Sequence, residues 1–234
     1  KMKRALAILN NTTVFQNSIK VLKDYEYDLI KKSTNSKLGK KVTKNTFKDY
    51  FIYTLTLIER ETCPIDCFHY EDCFGNNMMY AHRIDHKNYL ELINRLQDNL
   101  YYLLVVKKIK VLLRLHVLGD FFSKEYVLFW EKMLEMFPNL AIYGYTGTNP
   151  KSKISSSKNI AIEILRLRNK FGKRFAIRFS NDNQDIFSAN SRDIEEPVKQ
   201  VSFQCPEQEE KVNTCGDCTA CWEVMNRRVL FKTH

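Results

Sequence analysis

A chain of 234 residues with 44% hydrophobic and 27% charged content can bury one sizeable core and need not be more than one domain. The net charge of +10 is concentrated in residues 1–50, where 12 Lys/Arg face 4 Asp/Glu, so the basic N-terminal segment admits nucleic acid as a partner, a solvated loop being the open alternative. No run of about 18 apolar residues occurs, and the opening KMKRALAILNNTT has too short an apolar stretch for a signal peptide; no membrane association and a cytoplasmic location are the expectation.

Residues 1–45 form that basic segment. They either add a helix around FQNSIKVLKDYEYDLI or stay loosely attached, and Lys31, Lys32, Lys37, Lys40, Lys41 and Lys44 surround a turn-like STNSKLGKK. FIYTLTLIE (51–59), rich in β-branched and aromatic residues, reads as a first strand and leads into Cys63, Cys67 and Cys73. DHKNYLELINRLQDNLYYLLVVKKI (85–109) has helical periodicity, with an ambiguous tail at YYLLVV. KVLLRLHVLG (110–119) is nearly continuously apolar, as a strand covered on both faces requires.

Ser123 stands where an N-cap belongs for SKEYVLFWEKMLEMF, with Glu125 in the first turn and Pro138 as the stop. LAIYGYT (140–146) is the third strand, a helix over about 159–170 ends before Gly172, and RFAIRFS (174–180) is the fourth strand. NDNQDIFSANSRDIEEP is turn-rich and polar, and VSFQ (201–204) is a short strand. The reading divides the chain into a basic segment 1–45, an α/β core 46–200 and a cysteine-rich segment 201–234. Alternating strands and helices predict a parallel α/β sheet. Loops after such strands gather at one edge, where Cys63, Cys67, Cys73, Gly119, Asp120, Thr146, Ser180 and Asp182 can converge.

The seven cysteines fall in two groups, and an odd count fits full disulfide pairing poorly. Three thiolates around an iron-sulfur cube leave one iron free for a small molecule, whereas four close the site. The first group reads as a working site, with Phe68, Tyr70 and Phe74 as an apolar surround or as ordinary loop packing. His69 between Cys67 and Cys73 keeps a mixed Cys/His zinc site open. In the tail, Cys215, Cys218 and Cys221 form a C-x2-C-x2-C run with a remote Cys205 before Pro206, closer to ferredoxin usage than to paired zinc knuckles; zinc is the alternative there. Gly216 fits a tight turn. His116, four residues before Asp120, is either an acid/base group or a core histidine. Arg114 and Arg178 suit an anionic ligand or internal ion pairs.

A three-cysteine loop, an acidic glycine turn, a TxxN turn and a polar strand end, each following one strand, resemble the barrel of radical S-adenosylmethionine enzymes. The segments NSKLGK (35–40), TCP (62–64), RLHVLGDFFSKEYVLFW (114–130), YGYT (143–146) and CGDCTACW (215–222) resemble the phage gene product 88 family, described as radical-SAM-like. The resemblance implies a parallel sheet closing into a partial (β/α) barrel with a metal-binding C-terminal tail. It further implies a [4Fe-4S] cluster on Cys63, Cys67 and Cys73, whose free iron takes the amino and carboxylate groups of S-adenosylmethionine. Asp120 would accept from the methionyl ammonium, beside Gly119, Thr146 and Ser180. A second cluster would sit on Cys205, Cys215, Cys218 and Cys221.

The chain departs from the usual C-x3-C-x2-C spacing with C-x3-C-x5-C, and Leu118 stands in place of a second glycine. Two function classes follow. One is a redox enzyme fed by an electron donor and located in the host cytoplasm. The other is an iron-sulfur or zinc protein that binds nucleic acid without catalysis.

Overall fold

The protein is described by a computed structural model over residues 1–24, 28–182, 184–192 and 201–232. In chain order its elements are α1 (Met2–Leu9), β1 (Ile19–Lys20), β2 (Lys31–Lys32), β3 (Phe51–Thr54), β4 (Arg83–Ile84), α2 (Tyr89–Tyr101), β5 (Val111–Leu115) and α3 (Lys124–Met136). They continue with β6 (Leu140–Thr146), α4 (Ser155–Phe171), β7 (Phe175–Ser180), β8 (Ser188–Arg192), β9 (Ser202–Gln204), α5 (Cys215–Cys218), α6 (Ala220–Glu223) and β10 (Arg228–Lys232).

The eight-stranded main sheet has the order β2-β3-β5-β6-β7-β8-β10-β9, and every pairing except that of β2 with β3 is parallel. Strand alternation sorts side chains onto two faces. Val111, Leu113, Leu115, Leu140, Ile142, Phe175, Ile177 and Phe179 pack with α2, α3 and α4 in the larger core. Leu112, Ala141, Tyr143 and Ala176 look the other way, onto Val42, Phe47, Phe187 and Trp222. Both faces are therefore covered, the second by irregular chain and the cysteine-rich tail.

That cover is why the expected barrel does not close. The tail fills the face that a barrel would turn inward, and the end strands β2 and β9 do not pair with each other. The central elements follow the sequence closely. Ser123 Oγ accepts from the Tyr126 N–H as the cap of α3, and β6 spans the whole of LAIYGYT. YYLLVV extends α2 as a wide π turn over Tyr102–Val106.

Four expectations are corrected. The helix around FQNSIKVLKDYEYDLI is not formed over residues 16–24: two 3-10 turns flank β1, and 25–27 lie outside the described residues. Side chains hold this backbone, since Ser18 Oγ donates to Phe15 O and Asn99 Oδ1 accepts from the N–H groups of Leu29 and Ile30. A short helix, α1, forms earlier instead. The polar SANSR stretch, read as turns, is strand β8, and β10 follows the last cysteine. Strand one ends at Thr54 and strand two at Leu115, both short of their expected limits. No helix among the described residues is long and apolar enough to cross a membrane.

Gly144 shows how tightly β5 and β6 meet. A Cβ there would stand 1.5 Å from the Leu115 carbonyl oxygen, which belongs to paired backbone and cannot swing aside. Gly144→Ala is expected to destabilise the fold by about 3 kcal/mol or more in denaturant unfolding, since neither strand can yield. A midpoint unchanged from the parent would contradict this register.

Candidate functional site

The loop after β3 is shaped from inside by two arginines. Arg83, from β4, is fully buried and pairs with buried Glu59 at 2.6 Å. Its remaining N–H groups donate to Gly75 O at 3.0 Å, Met78 O at 3.1 Å, Ala81 O at 2.9 Å and Ser18 Oγ at 2.9 Å. Thr13 Oγ1 donates to Glu59 from the N-terminal side. Arg60, itself buried, donates to the carbonyls of Thr12, Tyr70 and Glu71 and to Asn76 Oδ1. The cysteine loop thus has a fixed course without a metal, and an isolated buried charge on either partner of the Glu59–Arg83 pair would be costly.

Within it, Cys63, Cys67 and Cys73 are half-buried free thiols lining one cavity of about 120 Å³. Gly119, Asp120, Ser180 and His116 line the same cavity, so the structure brings these sequence-derived candidates together. Protein around the sulfur atoms displaces water, raising the Cys63 and Cys73 thiols and pushing Cys67 up to about 12. Gly147, which the sequence did not single out, makes room for them. A Cβ there would meet Cys67 Sγ at 2.7 Å.

Asp120 is buried, and burial pushes its carboxyl up to about 7 against three donors. Oδ1 accepts from the Phe121 N–H and Thr146 Oγ1, each at 2.7 Å, and Oδ2 from the Gly147 N–H at 2.6 Å. Thr146 therefore meets the carboxylate rather than the cavity. Gly119 adopts φ +79° where a Cβ would lie 2.6 Å from Thr62 Oγ1, the atom that accepts from the Asp120 N–H. The acidic turn is locked to both neighbouring loops.

His116 lines the thiol cavity beside Arg114 and Asp120, although β5 ends at Leu115. Its ring packs between Phe121 and Tyr126, with Nε2 3.2 Å from the Tyr126 hydroxyl and Nδ1 unpartnered. Burial lowers its pKa to about 3, so it borders the cavity as a neutral imidazole. His69 Nε2 meets Asn181 Nδ2 at 3.1 Å and Ser191 Oγ at 3.3 Å, tying the loop to the ends of β7 and β8. Tyr70 and Phe74 line the cavity; Phe68 is largely exposed, its ring against that of His69.

The tail is held from two sides. The NSKLGK stretch binds it by backbone, Cys215 N donating to Lys37 O at 2.7 Å and Gly216 N to Leu38 O at 3.1 Å, and Thr43 N donates back to Gly216 O. Gly216 is needed for this close approach rather than for a turn, because a Cβ would stand 2.3 Å from Lys41 O. From the sheet, Arg178 donates to five carbonyls: Cys221 at 3.1 Å, Ser188 at 3.1 Å, Arg227 at 2.9 Å, Ala220 at 3.4 Å and Val224 at 2.7 Å. Among the described residues it makes no salt bridge, and its donors go to these carbonyls.

Burial raises the thiol of Cys215, and Cys221, Cys205 and Cys218 raise it further, so the four tail cysteines lie within electrostatic reach of one another. Tyr145 donates its hydroxyl to Cys221 Sγ at 3.1 Å, and Arg114 lies over the Tyr145 ring at 5.7 Å. Arg114 Nε, Tyr143 OH and Trp222 Nε1 are buried without partners. This donor-rich, acid-poor setting fits a soft, negatively charged thiolate site. Among the described residues, however, no three His, Cys, Asp or Glu side chains are close enough to hold one metal ion, and all seven cysteines are free.

A larger cavity of about 890 Å³ lies apart from the thiols, between α1 and the 12–20 segment, lined by Lys3, Lys20, His82 and Tyr80 and by no described carboxylate. The basic turn is partly engaged internally. Lys37 faces Glu207 at 3.7 Å, Lys41 faces Asp49 at 2.8 Å, and Lys32 lies 4.6 Å from the centre of the Phe51 ring.

The family model described as Gene product 88 matches residues 28–224. No curated protein and no solved structure matches the chain.

Two outcomes test this construction. Glu59→Gln leaves the Arg83 guanidinium buried without its counter-charge and is expected to lower stability by about 3–5 kcal/mol; a loss within about 0.5 kcal/mol would mean that the pair does not brace the loop. His116, held neutral in the fold and free to protonate near pH 6.5 when unfolded, makes stability fall as pH drops from about 6.5 toward 3. His116→Gln should flatten that limb of the unfolding curve, and an unaltered limb would place the titration elsewhere.

Proposed function

The chain belongs to the phage gene product 88 family, and from that premise we propose that it is an iron-sulfur protein of radical-SAM-like type. Cys63, Cys67 and Cys73 would hold a [4Fe-4S] cluster with one iron free of protein ligands. Cys205, Cys215, Cys218 and Cys221 would hold a closed thiolate site, a second cluster or zinc. The observation that carries the reading is the meeting of three thiols in one cavity with Asp120, at the sheet edge where α/β proteins place ligands.

When bound and reduced, such a cluster supplies one electron, enough to split a carbon-sulfur bond of S-adenosylmethionine. The chain's own part is binding and exclusion. Asp120, held by Thr146 and the Gly147 N–H, keeps acceptor capacity for an ammonium group. Tyr70 and Phe74 keep water from the thiols. The cavity of about 120 Å³ is smaller than the roughly 300–1,000 Å³ of drug-sized ligand pockets.

A second reading, nucleic-acid binding without catalysis, is favoured by the cleft of about 890 Å³ with Lys3, Lys20 and exposed Tyr80.

Anaerobic reconstitution followed by iron and sulfide analysis separates these readings. The cluster reading expects about four iron and four sulfide to be lost in a Cys63→Ser, Cys67→Ser, Cys73→Ser variant, and a changed paramagnetic signal of the reduced protein on adding adenosylmethionine. Protein that takes up no iron, yet binds single-stranded DNA or RNA in a salt-sensitive manner, would overturn it in favour of the second reading.

A further inference from the structure

One layer of side chains separates the cleft of about 890 Å³ beside α1 from the thiol cavity. Thr12, Thr13, Phe15 and Ser18 line the cleft, whereas Glu59 and Arg60 line the cavity of Cys63, Cys67 and Cys73. Hydrogen bonds join the two sets directly: Thr13 Oγ1 donates to Glu59 Oε1 at 2.6 Å, and Arg60 donates to Thr12 O at 3.3 Å. Arg83 completes the layer. It holds both oxygens of Glu59, donates to Ser18 Oγ at 2.9 Å and lies 5.3 Å from the centre of the Phe15 ring. Thr13, Glu59, Arg60 and Arg83 are all buried, so a group that fixes residues 12–18 from the cleft acts on Glu59 and Arg60 and, through them, on the cysteine loop.

The open side of the layer is mixed in chemistry. Lys3 from α1 and Lys20 from β1 bring charge, Asn10 and Asn17 bring side-chain amides, and Tyr80 is 90% exposed. Two carboxylates reach the floor from behind, Glu59 at Thr13 and Glu61 at Thr12, and each has its own cation, Arg83 at 2.6 Å and Lys87 at 3.7 Å. Lysines suit phosphates, an exposed ring suits an unstacked base and amides suit base edges, while the volume admits single nucleotides rather than a duplex. We propose that the cleft holds a single-stranded segment of nucleic acid, phosphates at Lys3 and Lys20 and a base on Tyr80, and that its occupancy is transmitted through Thr13, Ser18 and the Glu59–Arg83 pair to the thiol cavity. This rests on the nucleic-acid reading above, and it joins that reading to the cysteine loop whether or not a metal is bound there.

The test reads thiol chemistry in metal-free, full-length protein and so needs no cluster. The probe is an oligothymidylate of about ten nucleotides, and alkylation of each cysteine by iodoacetamide is followed by mass spectrometry with and without it. Half-buried thiols react when their loop opens, so bound strand should slow alkylation of Cys63, Cys67 and Cys73 about five-fold or more and leave Cys218 in the tail unchanged. Tyr80→Ala should weaken binding about ten-fold, and Lys3→Gln with Lys20→Gln should lower its salt dependence. Thr13→Val and Ser18→Ala each cut one bond of the layer but keep Lys3, Lys20 and Tyr80. Both should bind the strand nearly as the parent does and lose much of the protection.

Protection that persists unchanged in both layer variants would mean that the strand merely covers the thiols, and the coupling would be overturned. Binding indifferent to Tyr80, Lys3 and Lys20 would place the strand elsewhere and overturn the site. Inorganic tripolyphosphate, which carries charge without bases, should bind more weakly than the oligonucleotide; equal affinity and equal protection would reduce the cleft to an anion site and overturn the assignment of a strand. A parent that binds the strand with unaltered alkylation sinks the coupling alone. If the parent binds no strand at all, the nucleic-acid reading itself falls, a result recognisable before any variant is made.

Discussion

The interaction on which the rest depends is the grip of Arg178 on the tail. A planar guanidinium offers five N–H bonds in a fixed fan, and here all five contacts go to backbone carbonyls of β8, α6 and the segment leading to β10. Short helices leave their last carbonyls unsatisfied, and α6 has only four residues. One side chain from the sheet meets that need and, through it, presses the cysteine-rich segment against β5, β6 and β7. The second face of the sheet is then covered without helices, and the sheet stays open.

The thiol cavity obeys a similar rule. Its loop is irregular, yet Arg60 and the Glu59–Arg83 pair occupy the carbonyls that an irregular loop would otherwise bury unpaired. Asp120 joins the turn after β5 to the turn after β6. The geometry around Cys63, Cys67 and Cys73 is therefore organised by chain elements on every side, and Gly119, Gly147 and Gly216 stand where any side chain would collide with this packing.

Legibility in the sequence followed the strength of local signals. LAIYGYT and RFAIRFS announced β6 and β7 by their dense aromatic and β-branched content, and Ser123 with Glu125 announced α3 because capping needs an oxygen at one position. SANSR did not announce β8: its residues are small and polar, and pairing with β7 and β10 makes it a strand. The two-residue β1 and β2 are likewise products of tertiary contact. In the candidate site, the cysteines, Gly119 and Asp120 were readable from spacing and turn chemistry. Arg83, Gly147 and the bridging position of Tyr145 were not, because each acts on residues distant in sequence. Arg178 and Arg114 were read as one kind of residue, and only packing separates the carbonyl-bound one from the one lining the thiol cavity.

The position of β10 has a consequence for how the molecule is assembled. It comes after β9 in the chain yet lies between β8 and β9, and among the described residues β9 has no other neighbour in the sheet. The outer edge must wait until residues 228–232 have left the ribosome. Until then Cys205, which packs with Ala189 and Val229, lacks part of its surroundings, whereas Cys215 and Cys221 already have the face of β5, β6 and β7 to rest on, so the tail docks in two stages.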